Sequence, residues 1–220
     1  MHGNGVRSAL FALSLGFVAS AGAQSMQTIR GDVAAVDGKT LRLKSASGQE
    51  TVIALADNAR VSLRVPTSID AIKPGAFVGT AATPGPDGTL VASEVHIFPD
   101  ALRGTGEGHR PMPTLPGSTM TNATVAGVTP SASKPRGTMT NATVENVGVA
   151  GKGRTLKLTY KGGEQTVFVP QSVPVVTVEA GSRASLSPGE HVIVYAKRDA
   201  SGALAAQRVS VGKNGSVPPI

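Results

Sequence analysis

Apolar and polar residues alternate along this chain in short runs, broken every few residues by glycine-containing turns. Thr40-Leu41-Arg42-Leu43-Lys44 sends Leu41 and Leu43 to one side and Arg42 and Lys44 to the other, the two-residue period of a strand with one buried face. Residues 31–36 lead into Asp37-Gly38, a hairpin signal because glycine accepts the positive φ of a type I′ turn. Further strands are expected at 51–55, near 60–65, at 76–82 and at 90–98. Ile69-Asp70-Ala71-Ile72 reads as a turn or a single helical turn, closed by Lys73-Pro74-Gly75. Pro84 and Pro86 cannot donate to a ladder and belong in the loop of the last hairpin. Five or six short strands in roughly 70 residues predict a small closed barrel, OB-like in strand count, with a flatter sandwich as the alternative.

The pattern then returns. Thr40-Leu41-Arg42-Leu43-Lys44 recurs as Thr155-Leu156-Lys157-Leu158-Thr159, and Gly48-Gln49-Glu50-Thr51-Val52 as Gly163-Glu164-Gln165-Thr166-Val167. Lys73-Pro74-Gly75 answers to Ser187-Pro188-Gly189, and Asp87-Gly88-Thr89-Leu90-Val91-Ala92 to the stretch from Ala200 to Ala206. A repeat this long means two units of one β architecture in tandem. The second unit is expected to turn Val147, Leu156, Leu158, Val167, Val169, Val176, Val178, Val192, Val194 and Val209 inward. The expected fold is therefore all-β, two tandem OB-like barrels from an internal duplication. Their bounds are 24–99 and 138–212, with a Gly/Pro/Thr-rich connector at 100–137 and a tail at 213–220.

The first 23 residues change the compartment. Arg7, an apolar run over 9–21 and Ala21-Gly22-Ala23 have the layout of a cleaved secretory signal, with the mature chain expected to begin at Gln24. A periplasmic or secreted protein is expected. There is no cysteine, so neither lipid attachment nor a disulfide is available and the core must suffice. No later run reaches the roughly 20 apolar residues of a membrane helix. The net charge of +7 is unevenly spread, near neutral over 31–99 and positive over 141–212, and forms no basic stripe, so nucleic acid is not an expected partner. An envelope protein or an anionic envelope component is. After the leader the aromatic residues are Phe77, Phe98, Phe168, Tyr160 and Tyr195, too few for a platform that stacks bases or sugars.

The connector holds two motifs. In Leu102-Arg103-Gly104-Thr105-Gly106-Glu107-Gly108-His109-Arg110-Pro111, alternating glycines offer successive N–H groups that could cradle an anion. Arg103, Glu107, His109 and Arg110 are the candidate ligand-binding residues; a tight connector packed on the first barrel is the competing reading. The second motif, Thr119-Met120-Thr121-Asn122-Ala123-Thr124-Val125, returns as Thr138-Met139-Thr140-Asn141-Ala142-Thr143-Val144. The later copy leads straight into the second unit and is expected to be its first strand. The earlier copy is left to pair beside it, to complete the first barrel, or to compete for the same place.

Catalytic patterns are thin. No HxH, HExxH or cysteine spacing marks a metal site, no Gly-x-Ser-x-Gly is present, and Ser131-Ala132-Ser133-Lys134 runs into Pro135 instead of opening a helix. His96 and His191 fall on strands, at positions that Ser210 and Phe77 take in the other unit. No enzyme activity and no cofactor are expected.

The pattern Gly-x-Val-x-x-Val-Asp-Gly-x-Thr-Leu at 31–41, with Pro74-Gly75 and residues 87–92, resembles an uncharacterised domain of bacterial exported proteins that is OB-like and of unknown function. The motifs at 103–110 and 117–125 resemble a longer subgroup with this two-repeat layout. Similar chains sometimes carry a label of metal-transport permease, which the lack of apolar spans after the leader contradicts. With no catalytic set in the sequence, the expected function is that of an exported, non-enzymatic binding module of the cell envelope. The alternative is a periplasmic accessory protein that holds a metal ion or small anion at Arg103, Glu107, His109 and Arg110, in association with metal transport.

Overall fold

A computed structural model describes residues 26–85, 89–112, 116–132, 152–198 and 202–218. The fold is all-β. The first half runs β1 (Met26–Asp37), β2 (Thr40–Lys44), β3 (Glu50–Thr67), a 3-10 turn at Ile69–Ala71, β4 (Phe77–Pro84) and β5 (Leu90–Phe98). A second 3-10 turn at Asp100–Leu102 leads to the short β6 (Gly108–Pro111). The second half runs β7 (Thr119–Ala132), β8 (Lys152–Tyr160), β9 (Gly163–Pro170), β10 (Val175–Ala180), a 3-10 turn at Arg183–Ser185, β11 (His191–Arg198) and β12 (Leu204–Gly212).

One barrel per repeat is not how these strands pair. β1 lies between β2 and β11, β2 continues to β3, and β3 meets β12, which returns to β11. That ring takes three strands from the first half and two from the second. Around the other ring β4 lies between β5 and β7, β7 pairs β8, β8 pairs β9, and β9 meets β5. Here the first half supplies two strands and the second half three. The halves exchange partners along β3 and β10, which pair antiparallel from Ser62↔Ala180 to Thr67↔Val175. β3 is 18 residues long where β2 is five, so it carries the chain past its own ring before turning back.

Each ring encloses its own core. Leu41, Leu43, Ile53 and Leu55 meet Val192, Val194, Val209 and Val211 in the first. Val78, Leu90 and Val95 meet Val125, Leu156, Leu158, Val167 and Val169 in the second. The 3-10 turns follow the exchange. Leu186, just after the third turn, plugs the first ring, and Ile72, just after the first turn, plugs the second. Val176 and Val178, expected inside a barrel, are buried elsewhere; Val175 takes the inward position.

Within the connector, residues 100–132 hold β6 and β7. The earlier Thr-Met-Thr-Asn-Ala-Thr-Val copy is the first strand of the second half's ring contribution, paired to β4 from Phe77↔Thr124 to Ala82↔Thr119. The later copy, at 138–144, lies outside the described residues, as do the leader and Val147. β6 folds back on the earlier copy from Gly108↔Asn122 to Pro111↔Thr119.

Candidate functional site

The loop between β5 and β7 owes its path to glycine. Gly104 and Gly106 hold φ of 80° and 59°, a region that L side chains enter at a cost. The turns they make lay the loop over the outer face of β7, and the four candidate side chains point to four different places. Arg103 Nη2 donates to the Gly75 carbonyl at 3.0 Å and to Asp100 Oδ1 at 2.6 Å, fastening the loop to the lead-in of β4. Arg110 Nη1 turns back to the Gly106 carbonyl at 2.6 Å. Glu107 Oε1 accepts the Lys161 backbone N–H at 3.0 Å, in the turn between β8 and β9. His109 Nδ1 lies 2.8 Å from Thr121 Oγ1 on β7. Asn122 Nδ2 donates to the Thr105 carbonyl at 3.1 Å. The loop is thus built as a brace across β4, β7 and β8. Among the described residues no three His, Asp or Glu side chains gather in a metal-binding arrangement.

A second polar cluster lies where the rings meet, and most of it was not singled out from sequence. Residues opposite one another on adjacent strands share a face. Tyr195 faces Arg208, Ser210 faces Ser62, Arg64 faces Val178, Val176 faces His96, and Glu94 faces Ala81. This face runs unbroken across β11, β12, β3, β10, β5 and β4, outside both barrel cores. Glu94, His96 and Ser210 are all buried there. Arg64 Nη1 donates to Ser62 Oγ at 3.0 Å, and Ser62 Oγ lies 3.5 Å from Ser210 Oγ. Burial pulls the Arg64 guanidinium below its ordinary value, with Tyr195 and Glu94 acting the other way. His96 is pushed down to about 3, first by burial and then by the Arg64 charge. Its Nε2 stands 3.7 Å from Glu94 Oε1, beyond hydrogen-bond length. At the open end the Arg208 guanidinium stacks 4.7 Å from the Tyr195 ring centre.

This seam joins the rings; its imidazole is too weak a base to serve proton transfer near neutral pH. The sequence signal was available. Glu94 and His96 alternate with Val95 and Ile97, so a strand with one face in a barrel core carries two ionisable groups on the other. Without the strand partners, that face reads as solvated.

The wall of the first ring carries an open groove of about 360 Å³, lined by Thr40, Val52, Ala54, Arg198, Gly202, Ala203 and Leu204. Val52 is 59% exposed in it. Arg198 stands at the rim, its Nη1 donating to the Gly202 carbonyl at 2.5 Å.

A family described as a domain of unknown function (DUF5666) matches residues 149–210. No curated protein and no solved structure matches the chain. The matched segment does not coincide with either ring: it gives β8 and β9 to one and β11 and β12 to the other, with β10 crossing between them. The stretch similar to DUF5666 therefore supplies strands to both rings.

Proposed function

We propose that the chain is an exported, non-enzymatic interaction module of the cell envelope. In this reading it is built from two OB-like units that arose by duplication and exchanged their last two strands. The groove beside Val52 carries the reading. A β-branched side chain left largely exposed between Ala54, Ala203 and Leu204, on a wall that otherwise shows Arg42 and Lys44 to water, is what a docking site offers an extended segment. Arg198 at the rim and the net charge of +7 favour a partner segment that places a carboxylate next to its apolar residue. The leader at 1–23 supports an envelope location.

A photo-crosslinking residue at Val52, compared with one at Val217, which is 66% exposed and outside the groove, tests this in intact cells. A discrete adduct from Val52 alone, weakened by Arg198→Glu, is expected. The same products from both positions, or none from Val52, would remove the groove from consideration. The accessory reading has its own test, thermal unfolding of residues 24–220 with divalent metals and phosphate. A ligand of the folded state adds about 2.7 kcal/mol at a hundredfold excess over its Kd. Such a shift, lost in Glu107→Ala/His109→Ala, would move the function to the loop.

A further inference from the structure

We propose that the outer face of the first ring, over β1, β11, β12 and β3, docks on an anionic phospholipid surface. The cross-strand register lays out its groups in rows. Thr28 faces Tyr195, Tyr195 faces Arg208, and Arg208 faces Arg60. One row on, Arg30 faces Ile193, and one row back Met26 faces Lys197. The residues that alternate with these, Ile29, Val61, Val194 and Val209, belong to the core of the ring. Four cations, Arg30, Arg60, Lys197 and Arg208, thus share one face, and all four are exposed. They span three strand spacings, about 14 Å.

Such a face costs stability when nothing answers it. Arg60 and Arg208 stand directly opposite one another, where like charges destabilise a strand pair. Among the described residues none of the four cations is in an ion pair. Acids of the same ring are engaged elsewhere, Asp32 with His191 at 2.5 Å, Asp57 with Lys39 at 2.6 Å and Glu190 with Lys213 at 2.7 Å. Arg208 is held instead by the Tyr195 ring, 4.7 Å from its centre, a contact that steadies the guanidinium and leaves its N–H groups for an acceptor.

The chemistry of the face points to phosphate. Two guanidinium groups facing each other can share the oxygens of one phosphate. The cations lie on four successive strands, so a surface of many headgroups meets them all, where one acidic side chain meets one or two. Protein partners are held mainly by large apolar or aromatic anchors, and here Ile193 is buried and the Tyr195 ring is occupied by Arg208. Met26, 46% exposed opposite Lys197, adds an apolar side chain that can enter a headgroup layer. The setting comes from the envelope reading above. The site does not, since none of the four cations lines the groove beside Val52.

Co-sedimentation of residues 24–220 with phosphatidylcholine vesicles, with and without phosphatidylglycerol, tests this. It needs no partner segment, so it stands or falls apart from the crosslinking at Val52. Binding only to vesicles that contain phosphatidylglycerol, weakening as salt is raised, is expected. Arg60→Ser/Arg208→Ser should weaken it about tenfold or more, since each cation near a membrane surface contributes several-fold. Arg42→Ser/Lys44→Ser removes the same charge from β2, on the far side of the ring, and should weaken it less than about threefold. All four positions are exposed, and unfolding midpoints equal to the parent's show that folded proteins are being compared. No binding at low salt overturns the proposal, as does an equal loss from the two pairs. Preference for polyglutamate over vesicles, lost with Arg60 and Arg208, also overturns it and gives the face to an acidic protein.

Discussion

The two rings are made to one plan, yet they close differently. In the first, β3 is a single strand that meets β12 in parallel, from Ala54↔Ala205 to Arg64↔Gly212, with a register shift between Leu55 and Arg60. In the second, the corresponding stretch is divided into β9 and β10, which meet β5 in turn, β9 at Leu90↔Val167 and Val91↔Phe168 and β10 from Val175↔Val95 to Thr177↔Ile97. Proline explains the break. Pro170 and Pro174 bracket the gap and bring no N–H, whereas the first half has Leu55 and Arg60 in the matching places. Both ladders lapse at this point, but only the second half ends its strand there. The second ring is also crossed by the 102–110 loop and by the Arg154–Asp70 ion pair between β8 and the first 3-10 turn.

Because each ring borrows two strands, damage to one should not stay there. Leu41→Ala in the first ring and Leu156→Ala in the second each remove a fully buried side chain. Each should cost about 2–5 kcal/mol. The sharper expectation is that each variant unfolds in a single transition, seen alike by hydrogen exchange in both cores. A Leu41→Ala protein that keeps full protection at Leu156 and Leu158 while Leu43 and Ile53 exchange would show independent rings and defeat the comparison.

The seam offers the next largest effect, one that depends on pH. The folded-state value of His96, about 3, lies below the ordinary 6.5 of an unfolded chain. The unfolded chain therefore takes up a proton that the folded chain refuses. Stability is complete above about pH 6.5 and declines as the pH falls toward 3, by at most about 1.4 kcal/mol per unit. His96→Ser copies Ser210, the residue at the matching place in the first ring. Between pH 7 and pH 4 the parent should lose up to about 3 kcal/mol more than this variant in urea titrations. Equal losses would mean that His96 is charged in the folded protein.

Which of this was legible in the sequence follows from what alternation encodes. The strands, the turns at Asp37-Gly38 and Lys73-Pro74-Gly75, and the inward Leu41, Leu43, Leu156 and Leu158 could all be read, because each depends on neighbours within a few residues. The exchange of partners could not. β4 and β11 present similar alternation, so either suits β1 by pattern alone, and only the course of β3 and β10 decides between them. That is the ambiguity that lets strands of like pattern exchange partners. The seam was hidden for the same reason, since Arg64, Glu94 and His96 share a face only after β10 comes between their strands. The loop at 102–110 was legible as a glycine-rich turn; its contacts with Gly75, Thr121 and Lys161 were not, being 12 to 54 residues away.

If proline accounts for the difference in closure, moving it should transfer the defect. Arg60→Pro places in β3 the residue that Pro174 places before β10, at a position paired with Arg208. It should widen the register shift that already precedes Arg60, end β3 there as β9 ends, and cost about 1–3 kcal/mol. Amide exchange along 205–212 should rise while 90–95 stays as before. Unchanged exchange at 205–212 would mean that continuity of β3 is not what closes the first ring.

The smallest effect separates a brace from a binding loop. Glu107 is exposed and spends Oε1 on the Lys161 N–H, joining the loop to the β8–β9 turn of the second ring. Glu107→Gln keeps an acceptor there and should leave stability unchanged. Glu107→Ala removes it and should cost about 0.5–1 kcal/mol, with faster exchange of the Lys161 amide as the local sign. Among the described residues the first ring has no such loop. The tail after β12 is tied to it instead, Lys213 Nζ reaching Glu190 Oε1 at 2.7 Å in a half-buried pair. Lys213→Ala should therefore act on the first ring as Glu107→Ala acts on the second, raising exchange near Glu190 and leaving Lys161 untouched. A Glu107→Ala protein in which the Lys161 amide stays protected would free that carboxylate from its bracing role and return it to the search for a ligand.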